Sequence, residues 1–214
     1  MTDSSTIPLF PLSLVLYPSE RLPLHVFESR YKKMAGICLS YNSPFGVLCQ
    51  QGDKLATVGC TARIARVVRR YRDGRLDIVV GGEERFRVLT MHDYKPYLTA
   101  KVEFLREVKC HVTHAKIERV ITQHMRLLEF AGRTVRPRMY ESDSPVSFII
   151  AHNAGLSLDQ EQEILELHDE EERVEYLIDH ISSLLFRLQR TGDLHRRLRS
   201  NGHFKDFPPE KFFK

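Results

Sequence analysis

The feature that most constrains the fold of this chain is a change of hydrophobic period near Arg106–Lys109. Before it, Leu98, Ala100, Val102 and Phe104 alternate with Thr99, Lys101 and Glu103, and Val58, Cys60, Ala62 and Ile64 alternate with Gly59, Thr61, Arg63 and Ala65. A period of two places each apolar set on one face of a strand. After it, Ile117, Val120, Ile121, His124, Leu127, Leu128 and Ala131 recur at spacings of three and four, the stripe of an amphipathic helix. Val174, Leu177, Ile178, Ile181, Leu184, Leu185 and Leu188 repeat that stripe. The chain is therefore predicted to be α+β: a strand-rich part over 1–109 with one inserted helix, a helical bundle over 110–192, and a tail over 193–214.

Turn and cap residues sharpen this outline. Asp73-Gly74 predicts a two-residue hairpin, because glycine accepts the positive φ such a turn needs. Gly81-Gly82 predicts a break before Phe86 and Val88. Several short strands with close turns predict a small antiparallel sheet rolled into a barrel, which removes exposed edges. Asp169 with Glu172 and Ser157 with Gln160 have capping-box spacing, Ser144-Pro145 reads as an N-cap followed by a first-turn proline, and Gly192 is placed to end the last helix. In the stretch before RLPLHVFESRYKKM (Arg21–Met34) and within it, Pro18 and Pro23 predict an extended path from Tyr17 to Leu24. A helix then starts near Glu28, held on the barrel by Phe27, Tyr31, Ala35 and Cys38.

With 214 residues and 42% hydrophobic content, the chain can bury a core without staples. The N-terminus lacks a basic region followed by an apolar run, and nowhere do about eighteen apolar residues follow one another, so a cytoplasmic protein is expected. Cys38, Cys49, Cys60 and Cys110 contain no C-x-x-C pair and read as buried thiols. Cys110, His111 and His114 supply three candidate ligands where structural zinc takes four. No metal and no cofactor are expected.

The residues carry a resemblance. IPLFPLSLVLYPSERLPLHVFESRYKKM is similar to the opening of the Lon protease N-terminal domain family, and FGVLCQQ, VGCTARIARVVRRYRDGRLDIVVGGEERFRVL and PYLTAKVEF resemble its later strands in the same order. GLSLDQEQEILELHDEEERVEYL is similar to the helical bundle that completes the domain, so the likeness covers about 7–190. The resemblance implies a PUA-like β-barrel followed by a helical bundle, a region that in Lon contributes to capturing protein substrates. No G-x-x-x-x-G-K-[ST] loop is present to cradle phosphates, and no serine-lysine protease segment follows the bundle. Neither ATPase nor protease activity is expected.

Two binding surfaces are candidates. A surface for unfolded polypeptide needs exposed apolar side chains or an open strand edge. Leu14, Leu16 and Tyr17 of an apolar run, Leu24, Phe27 and Tyr31 of the strand-to-helix junction, and Met139 and Tyr140 of the loop Gly132–Pro145 are the residues expected to supply it; Met139 and Tyr140 could equally lie back on the barrel as a lid. The second surface follows from charge. The net charge is +4, but from Arg63 to Arg75 six arginines (Arg63, Arg66, Arg69, Arg70, Arg72 and Arg75) face one acid, whereas from Asp159 to Glu175 nine acids face one base, Arg173. The arginine row, with Tyr71, suits RNA; against it, no regularly spaced aromatics accompany the row as a stacking platform. Polypeptide binding without catalysis is the first reading and RNA binding the second.

Overall fold

The computed structural model describes the backbone of residues 4–108, 112–134, 137–141 and 144–200, and the side chains of all of these except 4, 137 and 191–200. Seven strands come first: β1 (Ser4–Leu12), β2 (Arg21–Val26), β3 (Phe45–Gln51), β4 (Lys54–Leu55), β5 (Val58–Arg70), β6 (Leu76–His92) and β7 (Thr99–Phe104), with α1 (Ser29–Tyr41) between β2 and β3. The helical part holds α2 (His114–Phe130), a 3₁₀ turn (Pro137–Tyr140), α3 (Val146–Ala151), α4 (Leu158–Glu166) and α5 (Glu170–Ser200). The change of period thus marks the change of architecture.

The strands close a ring in the order β1–β7–β6–β5–β3 and back to β1. The other strand pairs are antiparallel, as expected, whereas β1 and β3 pair in parallel, with Leu9 opposite Gly46 and Leu12 opposite Cys49. Parallel neighbours need a long crossover, and β2 with α1 supplies it. α1 buries Tyr31, Met34, Ala35 and Cys38, and the Tyr31 ring lies 4.2 Å from that of Phe10. Phe27, expected in the same contact, is 60% exposed.

Gly81-Gly82 does not interrupt β6, which runs on from Leu76 to His92. The glycine at 82 serves close approach instead: a Cβ there would stand 2.1 Å from the Tyr17 carbonyl oxygen. Ser19 N–H donates to Gly82 O at 2.9 Å and Gly82 N–H to Glu20 O at 2.9 Å. Gly82→Ala must push this loop away and is expected to cost about 1–3 kcal/mol. A lower urea midpoint will show it, and an unchanged midpoint would contradict it.

Pro18 also acts differently from expectation. Pro18 and Ser19 occupy the corner of a turn closed by Glu20 N–H to Tyr17 O at 3.2 Å, with Ser19 at φ 65°. Proline followed by a positive φ defines a type II turn, so the extended path begins only at Arg21. Pro23 is tolerated in β2 because that strand pairs with β6 alone. At the β5–β6 hairpin, Gly74 N–H reaches Tyr71 O at 3.0 Å and Gly74 has φ 82°, so the loop is a longer turn ending in a left-handed glycine rather than a two-residue hairpin.

In the bundle, Ser157 and Gln160 form the complete reciprocal cap of α4. Asp169 accepts Glu172 N–H at 2.9 Å, while the Glu172 carboxylate accepts His168 N–H at 3.3 Å. Pro145, not Ser144, occupies the cap position of α3, and Ser144 Oγ donates to Ser19 Oγ at 2.6 Å across to the barrel. α5 continues through Gly192 to Ser200, so the glycine does not end it and the tail starts within a helix; one interior glycine costs only about 1 kcal/mol. Lys116 on α2 bridges Glu171 and Glu175 on α5 at 2.6 Å each, and Gln123 reaches Ser182 at 2.8 Å, so α2 and α5 run side by side in the same direction.

One apolar cluster joins the two parts: Val15, Tyr17, Cys49 and Val58 of the barrel pack with Phe148, Ile164, Leu165, Val174 and Leu177 of the helices. Tyr17 stitches them further, its hydroxyl donating to Glu161 O at 3.0 Å and its ring stacked 5.5 Å from Phe148. Burial pushes its phenol pKa far up. Cys38, Cys49 and Cys60 are buried thiols as expected, their pKa values raised by burial. Cys110 lies outside the described residues, as do His111 and the aromatic end of the tail.

Candidate functional site at the barrel–bundle junction

β6 changes partner along one edge. β2 covers it from Leu76 to Gly81 and β7 from Phe86 to His92. Between these limits β6 carries a bulge: Ala62 of β5 faces Gly82 and Cys60 faces Arg85, so Thr61 stands opposite both Glu83 and Glu84. Thr61 Oγ accepts Glu84 N–H at 3.0 Å and donates to Glu84 O at 3.2 Å, which holds the extra residue in place. Bulges of this kind re-aim side chains.

A cleft of about 610 Å³ opens at the bulge. Pro18 of the turn, Phe104 and Leu105 at the end of β7, and Pro145 and Phe148 at the start of α3 give it apolar walls. Glu83, Glu84, Arg106 and Glu107 supply polar groups. The cleft lies where the strands of the barrel meet the helices.

A buried cationic pair fixes the shape of this junction. Arg85 of β6, 3% exposed, donates to Leu165 O at 2.9 Å, Leu167 O at 2.5 Å, His168 O at 3.2 Å and Glu107 at 2.9 Å. Arg173 of α5, 0% exposed, donates to Ser147 Oγ at 2.9 Å, Leu167 O at 3.2 Å, Glu170 at 3.0 Å and also Glu107. Its guanidinium lies 4.4 Å from the Phe148 ring centre. Burial, then the neighbouring Arg173 charge, lowers the Arg85 pKa. Glu107 bridges both cations from the segment that leaves the barrel, so barrel, linker and bundle meet in one network.

The residues expected to grip a polypeptide are not brought together. Leu16 and Tyr17 are 1% exposed and Tyr31 is buried, so their side chains are closed to a partner in this fold. Leu14 and Leu24 are half-buried against the cluster under α1. Met139 and Tyr140 fold back on the bundle rather than on the barrel: Met139 lies beside Leu128 and Asn153, and Tyr140 hydroxyl meets His124 Nδ1 at 2.8 Å. Phe27 alone of the eight stands largely free. Sequence reasoning missed the Glu83–Glu84 bulge; the readable signal was GGEER, two adjacent acids in a strand after two glycines.

The arginine row is ordered by two further bulges. Residues three apart in a regular strand point to opposite faces. In β5, register shifts after Ile64 and after Val67 each insert one residue, so Arg63, Arg66 and Arg69 stand opposite Gly81, Val79 and Asp77 of β6, all on the outer face. On the far side of β6, Arg21, Pro23 and His25 of β2 face the same three residues. The result is a shallow trough floored by Gly81, Val79 and Asp77 and flanked by basic side chains. Arg63 is held by Glu83 at 2.5 Å. Arg69 and Arg75 lie over the Tyr71 ring at 4.7 and 4.9 Å, and Arg75 also pairs with Asp73 at 2.6 Å. Arg70 is exposed at the strand end and Arg72 in the turn. Asp77 accepts from Tyr71 hydroxyl at 2.8 Å and contacts His25 Nδ1 at 2.6 Å, and these hydrogen bonds, the one to His25 first, lower its pKa.

Among the described residues no three His, Cys, Asp or Glu side chains gather as metal ligands, and no helix is long and apolar enough to cross a membrane. His114 stands 3.2 Å from Glu118 on the next turn of its helix.

Closed barrel and helical bundle together define an α+β fold. The family model described as the ATP-dependent protease La (LON) substrate-binding domain matches residues 6–183, and the chain belongs to that family. Lon protease 2 of Syntrophobacter fumaroxidans is 24% identical over 90% of this chain, and Lon protease of Escherichia coli is 25% identical over 90%. Each match covers 26% of the relative, so the chain spans about a quarter of the length of these proteins. The crystal structure of a Lon N-terminal domain protein from Xanthomonas campestris is similar at a TM-score of 0.66 and 25% identity, covering 82% of this chain and 98% of that one. The N-terminal domain of the Mycobacterium avium complex Lon protease shares the fold at a TM-score of 0.59 and 19% identity, over 83% and 98% of the two chains.

Proposed function

We propose that this protein binds extended polypeptide segments at the barrel–bundle junction, holds them without chemistry of its own, and serves as an adaptor in protein quality control. The observation that carries the reading is the junction cleft: apolar walls from Pro18, Phe104 and Leu105 lie beside a bulged strand whose acids, Glu83 and Glu84, face outward. Apolar walls take side chains of an unfolded segment, and Glu84 at the rim, unlike Glu83 with its Arg63 partner, favours segments that also carry lysine or arginine. Membership of a substrate-binding family supports the same reading.

Binding of fluorescently labelled, reduced and carboxymethylated α-lactalbumin tests it. Glu84→Trp places a large ring at the bulge, on an exposed side chain, and is expected to weaken binding by roughly tenfold or more. Phe27→Ala, away from the cleft, is expected to change it by less than about twofold. The reverse order of effects would move the site to the junction of β2 and α1.

A further inference from the structure

We propose that the outer face of β2, β6 and β5 is a second binding site, separate from the junction cleft, that takes single-stranded nucleic acid. Its charge is placed for a polyanion, the one acid on the trough floor, Asp77, being already engaged by His25 and Tyr71. The trough flanked by Arg66 and Arg69 on one side and Arg21 on the other runs along β6, and successive outward residues there are roughly 7 Å apart, a step comparable with that between phosphates of an extended strand. Among the described residues Arg21 and Arg66 have no carboxylate within ion-pair distance, so their charge is available. The Arg21 guanidinium lies across Gly81, 3.3 Å from where a Cβ would stand, on the trough floor.

The fold also supplies the stacking surface that the sequence lacks as a spaced pattern. Phe27, 60% exposed, stacks on His25 with ring centres 6.0 Å apart and planes 20° apart. His25 meets the edge of Tyr71 at 5.9 Å. Tyr71 in turn lies under the guanidinium carbons of Arg69 and Arg75, 4.7 and 4.9 Å from its ring centre. Rings from the end of β2 and from the β5–β6 hairpin thus gather at one end of the basic trough, where a base can stack on the exposed face of Phe27 while phosphates follow the arginines. An acidic polypeptide would use the charge but has no need of the Phe27–His25 pair, which favours nucleic acid as the occupant.

Fluorescence anisotropy with a labelled dodecauridylate tests the site. The protein is expected to bind it at about 50 mM salt and to lose affinity roughly 20-fold by about 200 mM, as neutralising three phosphates of a single strand requires. Arg21→Glu with Arg66→Glu is expected to weaken binding at least tenfold, and Arg66→Gln to act in the same direction more mildly. Phe27→Ala is expected to weaken it roughly tenfold without changing the salt slope, the mark of lost stacking rather than lost charge. No binding at low salt would overturn the proposal. So would a silent Phe27→Ala, or competition by polyglutamate of matched charge as effective as by unlabelled oligonucleotide, since either makes the face a site for acidic polypeptide.

Discussion

Arg173→Met is expected to lower the thermal unfolding midpoint by roughly 10 °C. The methionine fills similar volume but takes away the charge shared by Glu107 and Glu170 and the donor to Ser147 Oγ. Breaking a buried ion pair by removing one partner costs about 3–5 kcal/mol, because the other partner stays out of water without compensation. Glu107 keeps Arg85 at 2.9 Å, so the loss falls chiefly on Glu170 and on the start of α3, where Glu170 also accepts Ser147 N–H at 3.0 Å. Adding Glu170→Gln removes the stranded carboxylate and is expected to recover part of the loss. A midpoint within about 2 °C of wild type for Arg173→Met would contradict the network's role.

The second large effect is on acid stability. His124 is 0% exposed in the stripe of α2, and burial holds its pKa at about 4 against an ordinary 6.5. The unfolded chain takes up the proton below pH 6.5, whereas the folded protein resists it until about pH 4. The contribution is therefore complete above pH 6.5 and is lost as pH falls towards 4, by about 3 kcal/mol in total. His124→Gln keeps a polar partner for Tyr140 hydroxyl but does not titrate. Urea unfolding across this window is expected to show a flatter acid limb for the variant, and parallel limbs would contradict the assignment.

Much of the fold was legible because its signals are local. The alternation about Ala100 and Val102, the helical stripe through Val120, His124 and Leu127, and the reciprocal cap of Ser157 and Gln160 depend on residues within a few positions of each other. What the sequence concealed depends on distant partners. Arg173 reads as the lone base of a solvated acidic run, yet it is the most enclosed cation of the chain's described part because Glu107, Ser147 and Leu167 converge on it. Gly81-Gly82 reads as a break, yet β6 continues because the glycine at 82 makes room for the backbone at Tyr17. Pro18 reads as an extender, but a turn follows because Ser19 adopts a positive φ.

The candidate surfaces divide in the same way. Exposure of an apolar residue at a junction is set by what packs above it, so Leu16, Tyr17 and Tyr31 went into the core while Phe27 stayed out. The spacing Arg63, Arg66, Arg69 held a readable clue: a threefold repeat inside a strand can keep one face only if the strand is bulged, as β5 is twice along this row. That His25 and Phe27 would stack beside Tyr71 depends on the pairing of β2 with β6, which no local pattern announces.

Hydrogen–deuterium exchange with and without saturating unfolded α-lactalbumin tests the central claim most directly. If polypeptide is held at the junction, amides of Glu83, Glu84, Arg106 and Glu107 will exchange more slowly in the complex, with α2 and the hairpin about Tyr71 unchanged. Protection confined to the segment around Phe27, or to the face of α2 away from the barrel, would contradict it.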